Sequence, residues 1–460
     1  MSGDGAGTAG PAGSRPAGGG EAERYARRRA RVLEALGDDG AMVLPATPEL
    51  LVGRDLELRY QPDPDLYYLT GYTEPEAVAV LCPSHTEAPF TLFVRPRDPA
   101  LELWTGPRGG PEGASAEFGA DAAYPIREIE ERLPKILARA NRVYFRFGSG
   151  REDLETLVRR ILVRARKTRP RTGRGPNALI DPGAILDPMR LIKDEDELAR
   201  IRRAAEITVD GFREAARAIR PGAGEWEVEA AVEAAFRKRG ADGVAFPTIA
   251  AAGHNATVLH YVDNAARMAA GDLLVLDAGA RFRRYCADIT RTFPVSGRFT
   301  REQRELYDVV LAARDAAIRA VRPAATVADV HRAALRTLLA GLVELGLLSG
   351  SPEALEQREA EYKPYFPHRT SHWLGLDVHD VGDYMAGAAS RSLEPGMVLT
   401  VEPGLYIPAD RESAPVALRG VGIRIEDDVL VTAEGHEVLT AALPADAEAM
   451  EAMVAGEGGV

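Results

Sequence analysis

The 460-residue chain is too long for one ordinary hydrophobic core, so two or three domains are expected. Its 45% apolar and 27% charged residues are those of a globular chain, and a net charge of −12 argues against a general nucleic-acid binder, which needs a basic face. The two cysteines, Cys82 and Cys286, form no CxxC pair, which argues against a disulfide framework or a cysteine zinc site and fits reduced thiols in a cytoplasmic protein.

In chain order, residues 1–20 are Gly, Ala, Pro and Ser with hardly any charge. They lack the apolar segment of a signal peptide and are expected to form a disordered tail. Glu21–Leu36 has helical character. Ala77–Leu81, Thr91–Val94 and Val143–Phe147 are strand candidates, and Ile126–Ala138 has a helical pattern between them. An N-terminal α/β domain over 21–185 is expected. Pro-rich and basic text follows at Lys167–Pro176 and Asp187-Pro188, with a domain boundary at 183–193.

A second domain is expected over 190–446. Acids at Asp194–Glu197 suit a helix N-terminus, and Leu198, Ile201, Ala205 and Val209 continue at helical spacing. Trp226, Ala230, Glu233 and Arg237 mark a second helix, ended by Gly240. Two more long helices fit 301–321 and 327–346, and 447–460 reads as a flexible tail. No run of about 20 apolar residues is present, so no membrane helix is expected.

Two β-rich stretches repeat each other. Asp277 and Glu402 each follow a Gly by six residues and precede another by two. Asp288 and Glu426 each precede a Gly by nine. Two matches in the same order suggest a domain with two similar halves. The matched acids sit in or beside apolar runs, where an unpaired charge is very costly. One such acid is more often ion-paired or capping; four in matched positions favour metal. Six of the eight histidines fall between 254 and 379, and His368, His372 and His379 share one segment. Carboxylates with imidazole suit Mn²⁺ and similar hard ions, and such a set bridging two divalent ions fits amide hydrolysis. No phosphate-binding loop, HExxH helix or GxSxG elbow competes with this reading.

Leu259-His260-Tyr261, Asp277-Ala-Gly279, Asp288–Pro294, Ser371–Gly382, Val401–Ile407 and Gly422–Asp428 together resemble the pita-bread-fold metallopeptidases, and within them the aminopeptidase P (Xaa-Pro aminopeptidase) group. Asp65–Glu76 resembles that family's first domain. The resemblance spans about residues 40–445. It implies an α/β (α+β) fold: a C-terminal pita-bread domain with a pseudo-two-fold internal repeat, after a smaller creatinase-like N-terminal α/β domain. It also implies two divalent metal ions, with Asp277 on one, His372 and Glu402 on the other, and Asp288 and Glu426 bridging both. A metal-bridging hydroxide would attack the carbonyl before proline, with Glu402 as proton shuttle. His260 and His379 would steady substrate and oxyanion, His368 and Arg424 would line the proline side, and Trp104 would bind substrate from a neighbouring subunit. The implied partners are peptides with proline in second position and further copies of the chain as a homo-oligomer, with no membrane and no nucleic acid.

The chain departs from the family at Arg369-Thr370, where Gly is typical after the His368 position, and at Thr105–Arg108 after Trp104. A prolidase acting on Xaa-Pro dipeptides is the nearest alternative, and Ser371–Gly375 favours aminopeptidase P over it. Methionine aminopeptidases usually lack such an N-terminal domain. Creatinase-like enzymes and metal-free binding proteins of this fold lose ligands that are all present here.

Overall fold

The central strands of the first sheet are mainly apolar runs buried along their whole length, as strands covered on both faces should be. The computed structural model describes residues 18–456 and divides into two units, Met1–Pro188 and Met189–Val460. In the first unit, helix α1 (Gly18–Leu36) leads into strands β1 (Gly40–Pro45), β2 (Val78–Leu81), β3 (Phe90–Val94), β4 (Ala122–Pro125), β5 (Arg142–Tyr144) and β6 (Ala178–Ile180). They form one mixed sheet in the order β4-β3-β2-β1-β5-β6. Ala41, Val43, Val78 and Val80 face a core shared with Leu133, Leu137, Leu157 and Val158 of two covering helices. Helix α2 (Pro99–Thr105) carries Trp104, and α3 (Glu152–Thr172) takes in the first part of the Pro-rich and basic text at Lys167–Pro176. Pro170 has no N–H to give the Arg166 carbonyl, and the helix ends within the next turn, at Gly173 with φ +69°.

The second unit is built twice from a helix pair and an antiparallel strand pair. Helix α4 (Glu195–Ala216) starts at a capping box in which the Asp194 carboxylate accepts from the amides of Asp196 and Glu197. It packs on α5 (Glu225–Lys238). Strands β7 (Ile249–Ala252), β8 (Leu273–Ala278) and β9 (Ile289–Pro294) follow as one sheet in that order. The second half has α6 (Arg301–Ala320) against α7 (Val327–Glu344), each opened by a Thr capping box. It then has β10 (Val398–Val401), β11 (Gly404–Ile407), β12 (Val421–Arg424), β13 (Asp427–Val431) and β14 (His436–Val438). β10, β13 and β14 form one sheet, and β11 pairs with β12.

The sequence repeat is a structural repeat. Asp288 immediately precedes β9 and Glu426 immediately precedes β13; Asp277 lies near the end of β8 and Glu402 just past β10. In one half Asp277 pairs with Thr290; in the other Val401 pairs with Asp427. A bridge between Thr290 and Glu426 joins the halves. The matched glycines share a reason: a Cβ at Gly279 would lie 1.8 Å from the Ala287 carbonyl oxygen, and one at Gly404 2.8 Å from that of Ile423.

The C-terminal expectation needs correction. Ala447–Ala455 form helix α8, capped by Asp446, rather than a flexible tail. Ala447, Met450 and Met453 recur every third residue and are buried in the core of the second unit, so the segment has an apolar stripe to bury. At the other end, the expected tail lies outside the described residues up to residue 17, while Gly18–Gly20 belong to α1.

Candidate metal centre

Because neighbouring strands carry them in register, the matched acids converge on one side of the two sheets. Asp288 Oδ2 lies 3.5 Å from His372 Nε2, and Glu402 Oε1 lies 3.7 Å from the same nitrogen. Ligand atoms of Asp288, His372 and Glu426 all fall within 4.8 Å of one another. Thr290, between the halves, donates to Glu426 Oε2 at 2.6 Å. Asp277 Oδ2 is held by Arg424 Nη2 at 2.6 Å. Among the described residues, Oδ1 of both Asp277 and Asp288 is buried without a hydrogen-bond partner.

That crowding is electrostatically unfavourable as it stands. Burial, then the neighbouring acids, push the Asp288 and Glu426 carboxyls well above the usual carboxylate range. Burial pushes Glu402 up to about 8, with Asp277 adding to the shift and Arg424 opposing it. His372 and His368 are pushed down to about 4, chiefly by burial, so both are neutral at pH 7. A divalent cation would supply the counter-charge that these clustered carboxylates lack, and oxygen atoms without donors beside a neutral imidazole are ligands ready for one, so these residues fit such a site.

A cavity of about 680 Å³ opens above the acids. His260, His368, His379 and Arg424 line it together with Phe246, Leu259, Val262 and Tyr384. The His372 and His379 rings meet edge-on with centroids 4.2 Å apart. Nine of the ten residues singled out from the sequence thus come together; Trp104 does not. It belongs to the first unit, on α2, with 83% of its surface exposed.

Two participants were not singled out beforehand. The Tyr406 hydroxyl bridges His368 Nε2 at 2.9 Å and Arg424 Nη1 at 3.0 Å. Thr290 joins Glu426 to Arg424, accepting from Arg424 Nε at 3.2 Å. A tyrosine or threonine within a strand reads as ordinary sheet text, and only the register sets each hydroxyl between charged groups. Behind the site, Asp428 accepts from the Asp288 amide at 3.1 Å, and Asp380 binds Arg190 and Lys193 (3.1 Å), fixing the segment after His379.

The comparisons with known proteins agree with this geometry. Residues 199–433 match the model of metallopeptidase family M24, and residues 25–144 that of the aminopeptidase P N-terminal domain. The chain is 40% identical over 433 residues to the Xaa-Pro aminopeptidase of Escherichia coli, covering 94% of this chain and 97% of that protein. It is 34% identical over 443 residues to human Xaa-Pro aminopeptidase 3, covering 93% and 85% respectively. The structure of Pseudomonas aeruginosa aminopeptidase PepP superposes with a TM-score of 0.91 at 42% identity, covering 95% of this chain and 98% of that one. Zinc-substituted E. coli aminopeptidase P in complex with product gives 0.90 at 40% identity, covering 95% and 99%. The chain belongs to metallopeptidase family M24, with the aminopeptidase P N-terminal domain ahead of the metallopeptidase domain.

Proposed function

We propose that this protein is a metal-dependent aminopeptidase that hydrolyses the bond between the first residue of a peptide and a proline in second position. The observation that carries the reading is the convergence of Asp277, Asp288, Glu402, Glu426 and His372 beneath one cavity, with buried carboxylate oxygens that lack donors. Two divalent ions, Mn²⁺ by the hardness of the donor set, would be held by these five residues and, when bound, supply Lewis-acid polarisation and a nucleophile at neutral pH. Glu402 is assigned the proton: its carboxylate takes one from the attacking water and returns it to the leaving proline nitrogen. His260 and His379 donate N–H bonds to the developing oxyanion. His368, Arg424 and Tyr406 hold the proline side.

The proline preference has a chemical basis. An Xaa-Pro bond has no amide N–H, so an enzyme cannot grip it there. Apolar walls such as Phe246, Leu259 and Tyr384 suit the pyrrolidine ring instead. The substrate's amino terminus lies toward the carboxylates, which limits cleavage to one residue at a time. No helix among the described residues is long and apolar enough to cross a membrane; a cytoplasmic, homo-oligomeric enzyme is the assignment we favour. Incubation with Mn²⁺ and either Xaa-Pro-Yaa peptides or Xaa-Pro dipeptides tests it. Release of the first residue from the longer peptides is expected. A clear preference for dipeptides would make the enzyme a prolidase, and no proline-dependent cleavage would reject the assignment.

A further inference from the structure

The cavity is lined by two arginines in very different states. Arg424 is buried and bound to Asp277. Arg369 is exposed, and its guanidinium makes no ion pair among the described residues. Glu359, an acid within electrostatic reach, is already paired with Lys363. The backbone that carries Arg369 is held on both sides. His368 Nδ1 bonds the Arg369 carbonyl oxygen at 2.7 Å, His331 Nδ1 bonds Thr370 Oγ1 at 2.8 Å, and the Thr370 carbonyl accepts from the Glu402 amide at 2.9 Å. A free cation therefore projects from a fixed point on the wall next to His368.

We infer that Arg369 is a specificity-determining residue that favours substrates bearing a carboxylate just beyond the proline. The inference rests on the proposed function, which sets the substrate amino terminus toward the acids and the proline beside His368. The chain then runs past proline toward Arg369. That carboxylate is either the terminus of a tripeptide or an acidic third side chain, and both present the same group to a guanidinium.

The test uses the Mn²⁺-loaded full-length enzyme with Ala-Pro-Ala, Ala-Pro-Ala-amide and Ala-Pro-Asp-amide. For each enzyme the readout is the ratio of kcat/KM for a carboxylate-bearing peptide to that for Ala-Pro-Ala-amide, which does not depend on the fraction of active protein. In Arg369→Ala at least one ratio is expected to fall by roughly two- to fivefold, the range of an exposed ion pair. Arg369→Lys is expected to retain part of the preference, and 1 M NaCl to abolish it in the wild type. A fall with the free tripeptide alone assigns the terminal carboxylate; a fall with Ala-Pro-Asp-amide alone assigns the side chain. Ratios equal in wild type and Arg369→Ala would overturn the inference. Failure of the wild type to cleave any of the three would instead overturn the proposed function.

Discussion

Asp427, adjacent to the proposed ligand Glu426, offers the sharpest energetic test of how the centre is supported. Asp427 and Arg291 are both fully buried, with Asp427 Oδ1 2.9 Å from Arg291 Nη2. Arg314 Nη2 approaches the other oxygen at 2.7 Å, and Thr440 donates at 2.6 Å. Arg291 also donates to the carbonyls of Thr290 (2.9 Å) and Glu426 (2.6 Å), so the same guanidinium holds the backbone of the metal centre. Asp427→Asn keeps the shape but leaves a buried arginine without its counter-charge. Breaking one side of a buried pair costs about 3–5 kcal/mol. For a unit of this size that is a fall of roughly 6–10 °C in the unfolding midpoint.

The assay is urea and thermal unfolding followed by tryptophan fluorescence, in which buried Trp373 reports on the second unit. Acid titration adds an independent check. Burial alone would raise the Asp427 carboxyl, but Arg291 and Arg314 outweigh it and hold it below the usual range. Its stabilisation is thus complete above the unfolded value near ~3.9 and is lost as pH falls through the lower folded value. Wild-type and Asp427→Asn midpoints should converge in that acid range. A loss below ~1 kcal/mol at pH 7, or a gap unchanged down to the most acid accessible pH, would refute the account.

Three further outcomes are expected. Asp288, Glu402 and Glu426 ionise near ~4 in the unfolded chain but at higher pH when folded, so the folded chain binds more protons between these values and metal-free protein should lose stability as pH rises from about 5 to 8. Melting with chelator and with Mn²⁺ checks this; a chelated protein equally stable at both pH values would contradict it. Asp288→Asn should lower kcat by more than the ~10–100-fold that outer partners of a metal site cost, yet the metal-free variant should be no less stable at pH 8 than metal-free wild type, because one repelling charge is gone. Gly279→Ala should cost at least ~1–3 kcal/mol, since the new Cβ meets backbone rather than a movable side chain, and calorimetric Mn²⁺ titration should show weakened binding because Asp277 and Asp288 flank the clash.

Much of this was legible in the sequence because the relevant signals are local and periodic. The helices at 301–320 and 327–344 carry apolar stripes behind Thr caps, and their ends fall within two residues of those expected. The matched acids were visible because a charge after an apolar run is anomalous at any single position and repeated here. Helix α8 was missed because a short Ala- and Met-bearing segment next to Gly-rich text has a weak pattern, and its helicity depends on a core that other elements build.

What the sequence determined by itself was the set of groups: four matched acids, three clustered histidines and the glycines that admit close backbone. Composition and spacing suffice for these because each is a property of one residue and its near neighbours. What only the tertiary structure decided was which groups face which. The 2.6 Å pairing of Arg424 with Asp277, the Tyr406 hydroxyl between His368 and Arg424, the buried Arg291–Asp427 brace and the free guanidinium of Arg369 join residues brought together by strand register and loop packing. Register is settled cooperatively by burial across the whole sheet, so no short stretch of chain carries it.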